Sequence, residues 1–245
     1  MSAPNSDPGG PASLGPKIRL GVVFDLDGTL IDSRLDIAHA ANHALVAHGF
    51  SRLSSDELAS FVGDGARLLV ARAARLDPEA AEVDALIQSY TDYYAAHPTD
   101  HTTLLPGARE ALEALSHLPL ALCTNKPRAS TEPVLANLRL SHAFTVIVAG
   151  GDLPQNKPHP SLLLHVAERL QLSTAELVMV GDGPQDILCA KAVGARGVGV
   201  EGGILAHERL LASKPDVLLR SLHELPALIE HWLGTPRSNA QPVST

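Results

Sequence analysis

Residues 23–33 read VFDLDGTLIDS. An apolar run ends in one carboxylate, Asp25, and a second, Asp27, follows after a single Leu. Side chains of an extended strand alternate, so the two acids leave on the same side. Two carboxylates at that spacing repel unless a cation lies between them or one holds a proton. A divalent ion with oxygen ligands resolves the conflict. Gly28 follows at once and frees the backbone for a sharp turn. Alone, such a pair is also compatible with a turn acid ahead of a helix cap, so the reading depends on the rest of the chain.

Working outward, short apolar runs recur at 18–24 (IRLGVVF), 118–123 (LPLALC), 144–149 (FTVIVA), 177–180 (LVMV), 196–200 (RGVGV) and 216–219 (DVLL). Continuous apolar runs alternating with helical patterns predict parallel strands of an α/β sheet. Open parallel sheets bind ligands at the carboxyl ends of their strands, where Asp25 and Asp27 stand. From about Leu35 to His101 the pattern holds no strand, only Ala- and Leu-rich helices, one of them expected to open at Pro78. The fold class is therefore α/β: a Rossmann-like three-layer parallel core with an inserted all-helical domain. The expected limits are 17–32 and 104–235 for the core and 33–103 for the insert. The Pro-, Gly- and Ser-rich tails at 1–16 and 236–245 are expected to be disordered.

The chain has 245 residues and a formal net charge of -8, and aromatics make up only 3% of it, so Ala, Leu and Val must fill the core. The negative balance argues against a nucleic-acid partner, which calls for excess basic charge. Two cysteines, Cys123 and Cys189, make no disulfide framework and show no metal-ligand spacing. The N-terminus lacks the basic and apolar regions of a signal peptide, and no apolar run is long enough for a bilayer. These features lead us to expect a cytoplasmic protein without a membrane partner.

The later strand ends carry polar groups as well. LALC runs into Thr124-Asn125-Lys126-Pro127, and LVMV into Gly181-Asp182-Gly183-Pro184-Gln185-Asp186; Lys157-Pro158 lies between them. DLDGT, a strand ending in Thr-Asn, Lys-Pro and GDxxxD, in that order, resemble the haloacid dehalogenase superfamily. The resemblance spans residues 23–186 and extends with the α/β pattern to about 230. It implies that Asp25 is a nucleophile forming an aspartyl-phosphate and that Asp27 is the general acid and base. It also implies Mg²⁺ as cofactor, held by Asp25, Asp27 and Asp182, with Asp186 in the acidic set fixing metal waters and Lys157. Thr124 and Asn125 would hold phosphate oxygens, Gly28 would shape the turn beside them, and Lys157 would neutralise the nucleophile–phosphate pair. Lys126 is read as solvent-facing. Many relatives carry Ser where this chain has Gly183, which predicts a looser loop.

FVGDGAR at 61–67, with TNKP and the segment from Gly151 to Leu170, is similar to the phosphoglycolate phosphatase branch, in which a helical cap closes over the cleft. The resemblance implies hydrolysis of a small phosphate ester, with 2-phosphoglycolate first and Arg67 or Arg72 as the cation for its carboxylate. Pyrophosphate, nucleotide or sugar phosphates, a phosphomutase, and a non-catalytic binding protein on the same fold are the alternatives. Thr29, where sugar phosphomutases often have Val, favours hydrolysis. His39 and His43 have metal-compatible spacing, but the sequence offers no third ligand, so they read as a polar helix face. A monomer and a homodimer are both compatible with the sequence.

Overall fold

The computed structural model describes residues 19–205 and 207–235; both expected tails, and Ile18 at the start of the first apolar run, lie outside them. Among the described residues there are eight strands, in chain order β1 (Gly21–Phe24), β2 (Ile31–Asp32), β3 (Thr103–Leu104), β4 (Leu120–Pro127), β5 (Val146–Gly150), β6 (Leu177–Gly181), β7 (Arg196–Val200) and β8 (Val217–Leu219). The helices are α1 (Arg34–Ala47), α2 (Ser55–Ala59), α3 (Ala66–Ala74), α4 (Ala81–Ala96), α5 (Ala108–Ala114), α6 (Arg128–Asn137), α7 (Ser161–Leu170), α8 (Pro184–Ala192), α9 (His207–Ala212) and α10 (Leu225–Gly234).

Six strands form one parallel sheet in the order β5-β4-β1-β6-β7-β8, with β1 between β4 and β6. The alternation of β1 divides the core: Val22 and Phe24 join the cluster shared with α5, α6 and α10, and Val23 joins the one shared with α7 and α8. Both faces of the sheet are thus covered, which is why its strands read as unbroken apolar runs. The chain steps outward from β1 in both directions, so the carboxyl ends of β4, β1 and β6 meet at a topological switch point.

The helices α1–α4 lie between the two strands of a small antiparallel ribbon, β2–β3, with Ile31 opposite Leu104 and Asp32 opposite Thr103. No pattern in the sequence announces this ribbon, because its strands are only two residues each. Buried Asp36 at the start of α1 fastens its base: the carboxylate accepts from the backbone N–H of His101 and Thr102 and from the Thr102 hydroxyl at 2.6–3.1 Å. One expected boundary moves: α4 begins at Ala81, because Asp77 takes Pro78 into a turn by accepting from Glu79 and Ala80 N–H. Among the described residues no helix is long and apolar enough to cross a membrane.

Candidate active site

Each strand end delivers its side chains for a local reason. Asp25 N donates to Val180 O at 2.9 Å, carrying the sheet ladder one residue beyond β1, so the Asp25 side chain emerges beside β6. Gly28 then turns the chain at φ +84, and a Cβ there would lie 2.2 Å from Asp182 Oδ2. Only glycine lets this turn pass beneath Asp182. Gly203 presses on Asp182 from another side, also at 2.2 Å for a Cβ. Thr29, which the sequence did not mark as a site residue, accepts from Asp182 N at 3.0 Å and so ties the first turn to the end of β6.

Asp25, Asp182 and Asp186 converge, each offering a carboxylate oxygen within 4.8 Å of the others. Lys157 enters from the loop before α7, its side chain wholly buried. Its ammonium donates to Asp186 Oδ1 at 2.7 Å and Cys123 O at 2.6 Å, and it pairs with Asp25 Oδ1 at 2.8 Å. That pairing is ionic without hydrogen-bond geometry, so Asp25 Oδ1 is a buried oxygen with no hydrogen-bond partner. Asp186 Oδ2 accepts from Gly183 N at 3.1 Å, reaching back over the first turn of α8.

The electrostatics follow from burial. Asp182 is pushed up to about 8, first by burial and then by the charges of Asp25 and Asp186; the N–H groups of Leu205 and Ile204 only partly offset this. Asp186 is raised to about 7, again mainly by burial, with Lys157 opposing. Burial alone would lower Lys157, but Asp186 and Asp25 outweigh it and hold the ammonium above its ordinary value. Burial pushes the Cys123 thiol up, so it keeps its proton and is no nucleophile. A cluster of three buried carboxylates, one with an orphaned oxygen, fits a hard divalent cation.

Asp27 stands at the mouth of the same cleft. Ser33 donates to its Oδ1 at 2.6 Å, leaving α1 without a side-chain N-cap. Lys126 donates to both oxygens, at 3.0 and 3.2 Å. Lys126 is therefore not solvent-facing as the sequence led us to expect: its side chain is 2% exposed, and its ammonium lies 4.0 Å from the centre of the Tyr94 ring on α4. A desolvated ammonium needs such partners.

Three other expectations change in detail. Asn125 spends its amide on protein: it donates to Gly63 O and Lys157 O at 2.9 Å each and accepts from Lys157 N at 2.8 Å. It thus positions Lys157 and an insert loop rather than offering a free amide to phosphate. Arg67 turns away from the cleft to Asp84 and the Pro78 carbonyl, and Arg72 pairs with Asp64 at 2.7 Å. The loop at Gly183 is not loosened, because the buried Gln185 side chain fills the place of a side chain there. His39 does have neighbours that the sequence hid, Asp36 and His101, but Asp36 spends both oxygens on the ribbon base. His43 stacks on Tyr93. Thr124 lines the cleft with Asp25, Asp27, Asn125, Lys126 and residues of the insert.

This constellation is set in a sheet whose family can be named. Residues 22–200 match the model of the haloacid dehalogenase-like hydrolases, and the chain belongs to that family. Within it, the chain stands among the phosphatases. It is 38% identical over 216 residues to the phosphoglycolate phosphatase of Pectobacterium atrosepticum, covering 86% of this chain and 92% of that one. The phosphoglycolate phosphatase of Escherichia coli K12 is 35% identical over 244 residues, covering 90% and 95%. A crystal structure of a predicted phosphoglycolate phosphatase from Haemophilus somnus superposes with a TM-score of 0.79 at 28% identity, over 88% of this chain and all of the other.

Proposed function

We propose that this phosphatase hydrolyses 2-phosphoglycolate to glycolate and phosphate, with Mg²⁺, through an aspartyl-phosphate on Asp25. The observation that carries the reading is the Lys157 ammonium set between Asp25 and Asp186, with Asp182 beside them. A nucleophilic carboxylate meeting an anionic phosphate needs that cation, because otherwise negative charge approaches negative charge.

Asp25 attacks phosphorus, and the bond to the leaving oxygen breaks as Asp27 gives that oxygen a proton. Water then attacks the same phosphorus, Asp27 takes its proton, and the bond to Asp25 breaks to release phosphate. Ser33 and Lys126 fix the Asp27 carboxyl for both steps. Thr124 offers its hydroxyl to phosphate oxygens from the cleft wall. Asp25 and Asp182, with the Asp27 backbone carbonyl, would hold Mg²⁺, and Asp186 would orient it through its waters and Lys157. The ion supplies charge neutralisation at the phosphate. Helices α1–α4 act as a cap that excludes water when closed. The likeness to enzymes named phosphoglycolate phosphatase supports the choice of substrate.

The test is phosphate release with Mg²⁺ across 2-phosphoglycolate, pyrophosphate, nucleoside monophosphates and sugar phosphates. We expect strong preference for 2-phosphoglycolate and a loss of at least about a thousandfold in Asp25→Asn. Turnover that survives Asp25→Asn would overturn the aspartyl-phosphate; broad weak activity would overturn the substrate.

A further inference from the structure

We infer that Lys126 selects the substrate, by binding an anionic group on the leaving-group side of the scissile bond. The inference rests on the reading of Asp27 as the acid that protonates the leaving oxygen. Once Asp27 has that role, its neighbours define where the rest of the leaving group must lie. In 2-phosphoglycolate the carboxylate carbon is two bonds from the leaving oxygen. The carboxylate must therefore come to rest close to the Asp27 carboxyl, which becomes a like charge once its proton has passed to the leaving oxygen. Only a cation touching Asp27 makes that position tolerable.

Lys126 is that cation. It contacts both Asp27 oxygens, and among the described residues it is the one positively charged side chain lining the cleft. The rest of the wall towards the insert carries no charge: Ile37, Val62 and Leu69 are apolar, and Tyr90 adds a neutral phenol. Arg67 and Arg72 are spent on Asp84 and Asp64, and Lys157 is enclosed by Asp25, Asp186 and Cys123 O. An ammonium has three donors, and Asp27 can share them with a second carboxylate. Tyr94 gives the lysine its aim: the ring from α4 sits against Nζ, so the charge is held where the insert meets the strand ends. An ammonium so desolvated binds an incoming carboxylate more strongly than one in water.

The experiment compares kcat/KM for 2-phosphoglycolate and ethyl phosphate, which lacks the carboxylate, in wild type, Lys126→Met and Lys126→Arg. Any general damage to Asp27 cancels in the ratio of the two substrates. We expect Lys126→Met to lose about 10- to 100-fold of the preference, mostly through a higher KM for 2-phosphoglycolate, and Lys126→Arg to retain part of it. Lys126→Gln reads the same ratio if the Met variant does not fold. A wild type that prefers 2-phosphoglycolate and an unchanged ratio in the variants would overturn the role of Lys126 and leave the substrate reading standing. A wild type with no preference would overturn both.

Discussion

Replacing Asp182 by Asn should make the protein more stable while ending its work. The Asp182 carboxyl is raised from 3.8 to about 8 by burial and by the charges of Asp25 and Asp186. The unfolded chain gives up this proton near pH 4, whereas the native state keeps it to about pH 8. Between those values the native state binds more protons, so its stability falls as pH rises. The full displacement corresponds to about 6 kcal/mol at about 1.36 kcal/mol per pH unit. Loop relaxation and water entry reduce such buried-charge costs, and about 3 kcal/mol is the expected size. Asn is neutral throughout and keeps the shape; its oxygen can accept from Ile204 N–H while its amide faces Thr29 Oγ1, which can accept. Thermal melts in chelator should therefore coincide only below the unfolded value, near pH 3.5, and diverge progressively to about 6–12 °C at pH 8, with Asp182→Asn the more stable. Adding Mg²⁺ should stabilise wild type and not the variant. A difference independent of pH, or a wild type that is the more stable at pH 8 in chelator, would refute the reasoning.

Two further substitutions test how the site is held. Thr29→Val removes the buried acceptor for Asp182 N; we expect a loss of about 1–3 kcal/mol in denaturant unfolding, together with a lower kcat. Gly183→Ser places a Cβ 2.2 Å from Gln185 Nε2 and should expel that side chain from its position near Gly63. A loss of about 1–3 kcal/mol is expected, and Gln185→Ala added to Gly183→Ser should recover most of it in a double-mutant cycle.

The parts of the molecule that could be read in advance are those governed by short-range rules. The six runs of the main sheet all appear within a few residues of their expected places, because a strand buried on both faces has no polar positions to disguise it. Asp25, Asp27, Thr124, Lys157 and Asp182 stood out in the sequence because each lies near a strand end or beside a Pro, in motifs that resemble those of the family. Lys126 could not be placed by the same logic. The pairing of β4 with β5 is irregular between Cys123 and Pro127, which breaks the alternation that would say where residue 126 points. Its partner Tyr94 comes from a helix packed across the cleft, a contact no local pattern encodes. Arg67 was misdirected for the converse reason: the loop with Gly63 and Gly65 does reach the cleft, but the side chain two residues on is captured by Asp84 from α4. The helical period alone does not reveal such a competitor.

The ribbon at the base of the insert also bears on how such an enzyme can change. Because β2 and β3 are paired, the chain leaves the sheet and returns to it at neighbouring points, and Asp36 clamps the exit to the return. Whatever is strung between Asp32 and Thr103 hangs from a closed ring, so lengthening, shortening or replacing it leaves the strand order of the sheet untouched. Asp25, Lys157 and Asp182 all lie outside that ring. Variation in what covers the cleft is thus separated in the gene from Asp25, Lys157 and Asp182, and from Lys126 as well. The crossing point is Asn125, a strand residue bonded to Gly63 and Lys157 at once, where the two histories must agree.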